Sequence, residues 1–239
     1  MSTLFISDLH LSAERPEITE LFINLLSTQA RQARALYILG DLFEAWLGDD
    51  LVPAEYQGAI QAIKQLSTNG VPVYIMYGNR DFLMRKAFEK MTGAVLLADE
   101  YMIDLYGTPT LLLHGDTLCT DDIKYQQFRQ MVRNPQWQDE LLAKSPEERL
   151  ALAKHYREMS QLETAGKQNE IMDVNQDAVL SSMRTANVKQ LIHGHTHRPD
   201  THHFDLDGQP AIRIVLGDWY KTGNMLRCDE NACQLEDFS

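Results

Sequence analysis

The sequence predicts an α/β fold, a four-layer α/β/β/α sandwich carrying an inserted helical lobe. Three observations lead there. Short apolar runs rich in strand formers alternate with helical patterns through the first half of the chain. The residues after His197 read as two hairpins. Between them, positions 120–187 are helical almost throughout.

The strand runs lie at 4–6, 36–39, 71–76, 110–113 and 190–192. Their continuous hydrophobicity suits strands covered on both faces. Helical patterns fill 17–34 and 54–69, the second closed by Gly70 as the first residue beyond the helix. The segment 203–216 reads as two strands around an Asp207-Gly208 turn, and 225–235 as a hairpin turning near Glu230-Asn231. Both hairpins are expected to supply a second sheet packed on the first. In the lobe, Asp121 and Asp122 favour a helix start and Tyr125, Phe128, Met131 and Val132 form its apolar stripe. Asn134-Pro135 and Ser145-Pro146-Glu147-Glu148 look like caps with proline at the first helical position, and Asp173 is a third cap candidate. The domain reading is therefore a core of 1–119 and 188–239 with a substrate-binding lobe at 120–187.

Bulk properties narrow the class. A length of 239 residues with 44% hydrophobic and 23% charged residues is that of an ordinary globular chain. Cys119, Cys228 and Cys233 form no CxxC framework, so reduced thiols are expected. The N-terminus lacks a basic, then apolar leader and no apolar run approaches membrane-spanning length, so a cytoplasmic protein is expected. A formal charge of −12 opposes binding to nucleic acid. It does not oppose a phosphorylated ligand, because bound cations reverse the sign locally.

The chemistry sits at the strand ends. Asp8-Leu9-His10, Gly40-Asp41, Gly78-Asn79-Arg80-Asp81, His114-Gly115-Asp116 and Gly194-His195-Thr196-His197 each close an apolar run. Singly each is ordinary, since Gly-Asp after a strand is commonly a turn. Together Asp8, His10, Asp41, Asn79, His114, His195 and His197 supply oxygen and nitrogen donors for two divalent ions. Two adjacent ions suit in-line displacement at phosphorus. The i, i+2 spacing of Asp8 and His10 is expected to point both side chains one way, as on a strand. A carboxylate at Asp41 could bridge two ions. Asp81, Asp116 and Glu44 are expected to orient ligands from behind. His155, His202 and His203 read as surface, His193 as a packed strand residue, and Trp46 and Trp219 as core or pocket wall.

In this order the five motifs resemble the calcineurin-like metallophosphoesterase superfamily. The segments 40–50, 77–83, 114–122, 171–175 and 193–199 further resemble the UDP-2,3-diacylglucosamine pyrophosphatase family. That resemblance implies hydrolysis of a UDP-linked acylated glucosamine to UMP and 2,3-diacylglucosamine 1-phosphate in lipid A synthesis, generally with Mn2+. It implies Asp8, His10, Asp41 and His197 around one ion, and Asp41, Asn79, His114 and His195 around the other. Catalytic roles fall to Arg80, Asp41 and His195, and substrate contacts to Asn79, Arg80, Asp122, Ser160, Thr164, Lys167 and His195. Most of the superfamily carries a histidine after the metal-binding asparagine, able to protonate a leaving alkoxide. Arg80 stays charged and can only clamp phosphate oxygens, which suits a phosphate leaving group that needs no proton. The lobe departs from the family pattern: 139–149 is polar, and 117–170 holds eight Lys/Arg against nine Asp/Glu. Only a weak peripheral association with the inner membrane is expected, and a monomer. Another nucleoside diphosphate sugar or a phosphodiester stays open as substrate, and a non-enzymatic scaffold is the remaining alternative.

Overall fold

The computed structural model describes residues 1–164 and 173–239. The first sheet has the order β11-β10-β1-β2-β3-β4. Its strands are β1 (Thr3–Ile6), β2 (Ala35–Leu39), β3 (Val73–Met76), β4 (Val95–Leu97), β10 (Gly223–Cys228) and β11 (Cys233–Phe238). The second sheet, β5-β6-β7-β9-β8, holds β5 (Glu100–Leu105), β6 (Thr108–Leu113), β7 (Gln190–His193), β8 (Asp200–Leu206) and β9 (Gln209–Val215). Strands β1 to β4 run parallel, as do β6, β7 and β9. All their carboxyl ends therefore reach one rim, where ligands gather in open α/β sheets.

Three apolar cores separate the four layers. Helices α1 (Pro16–Ser27), α2 (Gln57–Thr68) and α3 (Lys86–Thr92) cover the outer face of the first sheet. In α1, Pro16 opens the helix and Ile18, Phe22, Leu25 and Leu26 form the buried stripe. Phe5, Leu39, Met76, Leu112, Ile192 and Leu226 pack between the sheets. Helix α7 (Gln176–Ala186) lays Val179 and Met183 against Leu111, Leu113 and Leu191 on the outer face of the second sheet. The remaining lobe helices are α4 (Ile123–Val132), α5 (Pro135–Leu142) and α6 (Pro146–Thr164).

The expected caps form at Asp122, at Asn134, and at Ser145, whose hydroxyl and backbone N–H pair with the N–H and carboxylate of Glu148. Asp173 does not cap α7; Asn175 does, accepting from the N–H groups of Asp177 and Ala178. The first helix stops at Ser27, where the Thr28 N–H and hydroxyl both bond to the Asn24 carbonyl, and only a 3-10 turn follows. Asp207 and Gly208, at φ of 57° and 79°, make the expected tight turn between β8 and β9.

Two sequence expectations are corrected. The second hairpin joins the first sheet, because β10 pairs antiparallel with β1 and buries both faces, Met225 toward the helices and Leu226 and Cys228 between the sheets. The cysteines are not all reduced. Cys228 and Cys233 are cross-strand partners closing that hairpin and form a disulfide, while Cys119 is a buried thiol that burial pushes up to about 12. Strands β4 and β5 escaped the sequence reading. The first has three residues, and the second exposes Glu100, Tyr101, Met102 and Asp104 along an edge.

Candidate metal centre

The five motifs meet at the shared rim. Donor atoms of Asp8, His10 and His197 lie within 4.8 Å of one another, as do those of Asp8, Asp41 and His114. Asp41 faces both histidines through one oxygen: its Oδ2 is 3.7 Å from His10 Nε2 and 3.8 Å from His114 Nε2. Asn79 Oδ1 lies 3.0 Å from both His114 Nε2 and His195 Nδ1. His195 is tied to the first group as well, its N–H donating to Asp8 Oδ2 at 2.8 Å. All seven sequence-selected donors are therefore brought together.

Backbone conformation achieves this, by a route unlike strand alternation. Asp8, His10, Asp41, His195 and His197 all have φ between 49° and 69°, the left-handed region that side chains with a Cβ avoid. Non-glycine residues held there mark sites where surrounding structure sustains local strain. Asp8 and His10 thus converge through two left-handed residues beyond β1 rather than along an extended strand. Gly78 and Gly194 let the loops close in, since a Cβ on Gly78 would collide with the Asp41 carboxylate and one on Gly194 with that of Asp8. Buried Asp81 binds the two loops together, accepting from the N–H groups of Leu42 and Gly78 at 2.8 Å each.

Three of the imidazoles have a carbonyl or a carboxylate behind the ring. His114 Nδ1 lies 2.8 Å from the Leu39 carbonyl, which sets Nδ1 as the donor and leaves a lone pair on Nε2. His10 Nδ1 lies 3.2 Å from Glu44, and His197 Nδ1 3.3 Å from Asp218. Carboxylates behind imidazoles in this way orient metal ligands. Lone pairs of His114 and the Asn79 oxygen then face each other, an approach that a cation between them makes favourable. Asp8 Oδ1 and both ring nitrogens of His10 are buried with no hydrogen bond. The donor set fits divalent cations.

Electrostatics agree. Burial alone would push His197 down, but Asp218 and Asp8 outweigh it and raise the ring to about 10. Burial also opposes protonation of His10 and His114, yet carboxylates around them raise both. His195 goes the other way, lowered to about 4 by burial and by the neighbouring His114. Burial and the Asp41 charge raise Asp81 to about 6.

Asp218 was not singled out from sequence, although Gly217-Asp218 follows the apolar run 211–216 just as Gly40-Asp41 follows its own. Arg213 was missed too. Its guanidinium donates to His193 Nε2 at 3.2 Å, so His193 Nδ1 donates to the Gly194 carbonyl at 2.8 Å and steadies the turn that carries His195. His193 is packed as expected, and burial pushes it down to about 3. Asp116 holds the lobe rather than a ligand, accepting from the Tyr125 hydroxyl and Arg129 Nε at 2.8 Å. Glu44 links His10 to Arg157 of α6.

Beside the centre lies a cavity of about 350 Å³ between core and lobe. Asn79, Arg80 and Glu44 line it with Phe82, Phe128, Val132, Trp137, Leu152 and Tyr156, and lobe cations including Arg129, Arg133 and Arg157 border it too. Asp122 is buried at the start of α4, where it accepts from the Tyr125 N–H. Ser160 and Thr164 fall on α6, and Lys167 lies outside the described residues.

A family model described as calcineurin-like phosphoesterase matches residues 1–199. A UDP-2,3-diacylglucosamine hydrolase from Pseudomonas aeruginosa is 50% identical, covering 97% of each chain. One from Edwardsiella ictaluri is 49% identical over 98% of this chain and 91% of its own. The chain is a calcineurin-like phosphoesterase of the UDP-2,3-diacylglucosamine hydrolase family. A solved archaeal phosphodiesterase shares the fold, with a TM-score of 0.51 at 11% identity over the full length of both chains. Among the described residues of this phosphoesterase, no helix is long and apolar enough to cross a membrane.

Membership and the two donor groups together support divalent metal binding. Metal must then displace the proton on His197, so affinity is expected to rise with pH below about 10, by tenfold per unit for each proton released. The sign for folding is the reverse. In the metal-free protein the raised His197 stabilises fully below its ordinary 6.5, and that contribution is lost as pH climbs through about 10. Asp218→Asn is expected to lower metal affinity roughly 10–100-fold and to flatten this pH slope. Calorimetric titration at several pH values checks both, and an unchanged slope would remove Asp218 from the account.

Proposed function

We propose that this phosphoesterase hydrolyses the diphosphate of UDP-2,3-diacylglucosamine by water attack on the α-phosphorus, giving UMP and 2,3-diacylglucosamine 1-phosphate. One observation carries the reading: an apolar cavity opens onto the candidate metal centre at Asn79 and Arg80. A substrate that is anionic at one end and doubly acylated at the other matches a lining that combines arginines with aromatic and aliphatic side chains.

Asp8, His10, Asp41 and His197 would hold one divalent ion, and Asp41, Asn79, His114 and His195 a second, with Mn2+ the expected occupant. Bound ions of this kind supply Lewis acidity, activating water and neutralising charge at phosphorus. The chain's own residues do the rest. Arg80 clamps phosphate oxygens, its side chain lining the cavity while its backbone N–H donates to Asp41 Oδ1 at 2.8 Å. The phosphate departs without a proton, so Arg80 needs none to give. His195, uncharged at neutral pH, holds its Nδ1 3.0 Å from Asn79 Oδ1 beside the cavity. The aromatic and aliphatic walls take up acyl chain and exclude water from the diphosphate.

Within the 120–187 insert, α4 to α6 carry these walls. Asp122, Ser160, Thr164 and Lys167 would contact the glucosamine phosphate and neighbouring sugar atoms. A cytoplasmic monomer with weak peripheral attachment to the inner membrane fits the near-neutral lobe.

Hydrolysis of the acylated UDP substrate in oxygen-18 water is expected to place the label in UMP. Label in the sugar phosphate would contradict the point of attack. Equal or faster turnover of UDP-glucosamine or a chromogenic diester would contradict the acyl-chain role of the cavity.

A further inference from the structure

We propose that Tyr220 is the stacking platform for the uracil ring of the nucleotide, an inference that rests on the UDP-linked substrate proposed above. Tyr220 is 67% exposed and stands in the loop 216–222 between β9 and β10. That loop is built into the candidate metal centre. Its Asp218 lies 3.3 Å from His197 Nδ1, and the N–H of the next residue, fully buried Trp219, donates to the Asp8 carbonyl at 3.2 Å.

Arg15 fixes the ring. Its guanidinium donates to the carbonyls of Trp219 at 2.9 Å and His10 at 3.0 Å, and its Cζ lies 5.9 Å from the centroid of the Tyr220 ring. The cation therefore backs the aromatic ring, and the high exposure of Tyr220 leaves area for a second flat partner. Among the described residues, no packing contact accounts for a large aromatic side chain at the surface beside an arginine anchored on the carbonyls of His10 and Trp219.

The substrate has two ends, and the apolar cavity suits only one. It runs from Asn79 and Arg80 under the lobe and takes the acylated sugar. The nucleoside carries no acyl chain and extends from the α-phosphorus in another direction. Of the seven donors only Asn79 lines the cavity; His10 and His197 do not, and loop 216–222 stands beside them through Asp218. A neutral planar base stacks on an aromatic ring without needing matched hydrogen bonds. Tyr220 would hold the base while the metal centre holds its 5′-phosphate.

The test is calorimetric titration of UMP and of ribose 5-phosphate into the Mn2+-loaded full-length chain, as wild type, Tyr220→Ala and Tyr220→Phe. UMP affinity is expected to fall about tenfold in Tyr220→Ala, the loss typical of one stacking face. Tyr220→Phe should keep wild-type affinity, and ribose 5-phosphate should bind all three alike. UMP binding to Tyr220→Ala as tightly as to wild type, or an equal loss for ribose 5-phosphate, would overturn the proposal. A wild-type protein that neither binds UMP nor cleaves the UDP-linked lipid would instead overturn the substrate reading on which it rests.

Discussion

Asp41→Ala is expected to abolish turnover and to reduce the metal bound per chain. Asp41 faces a histidine of each proposed ion site, with Oδ2 3.7 Å from His10 Nε2 and 3.8 Å from His114 Nε2, while Asp8 has donor atoms in both groups. Removing it takes away the shared ligand of both proposed ions and leaves three raised or buried histidines without their common counter-charge. The loss should exceed the roughly 10–100-fold typical of residues that act behind the ligands. Asp41→Asn keeps the shape and removes the charge, so it separates bridging from packing: it too should lose metal. Asp41 Oδ1 also accepts the Arg80 N–H, so near-ultraviolet circular dichroism is needed to show that the loop survives. A folded Asp41→Ala protein with full activity or full metal content would refute the shared-ligand assignment.

Arg80→Met is expected to lower kcat by about 10²–10³ while metal content stays unchanged. That range is what removal of one preorganised charge-stabilising donor costs in other transition states. The backbone of Arg80 is pinned on both sides, its N–H to Asp41 and its carbonyl to the Trp46 N–H at 3.1 Å. Its guanidinium is held far more loosely, 3.9 Å from Glu44, and Arg80 lines the cavity. An arginine fixed at its root and loose at its tip is suited to grip a ligand rather than to brace the fold. Arg80→Lys keeps the charge without the planar fork and should fall between wild type and Arg80→Met. The replacement keeps the positive charge, so the pH profile of Arg80→Lys should keep its wild-type shape. Loss of metal from these variants, or wild-type kcat in Arg80→Met, would contradict the role given to Arg80.

Much of this site was legible because each motif places a metal-type side chain directly after an apolar run, and strand ends in a layered fold converge. Sequence spacing could not reveal how they converge. Left-handed Asp8, His10, Asp41, His195 and His197 are not announced by residue type, and alternation along a strand gave the right pairing for a different reason. Asp218 follows a glycine and an apolar run as Asp41 does, but Gly-Asp alone does not distinguish a site residue from a turn. Two-faced burial of β10 was hidden for a similar reason: a hairpin pattern says that two strands pair, not which sheet receives them. The Cys228–Cys233 bond follows from that hairpin closing across a separation of five, and so was no more visible than the hairpin's place. The lobe declared its helices through caps and prolines. Its last helix, α7, shares their pattern yet packs as the fourth layer, a distinction made only by the contacts of Val179 and Met183.

The most direct test is a titration of Mn2+ into metal-free protein, following turnover of UDP-2,3-diacylglucosamine and bound metal together. The account predicts no turnover in the metal-free chain, and activity that reaches its plateau as the second ion binds. Turnover without metal, or a plateau at one ion per chain, would contradict it.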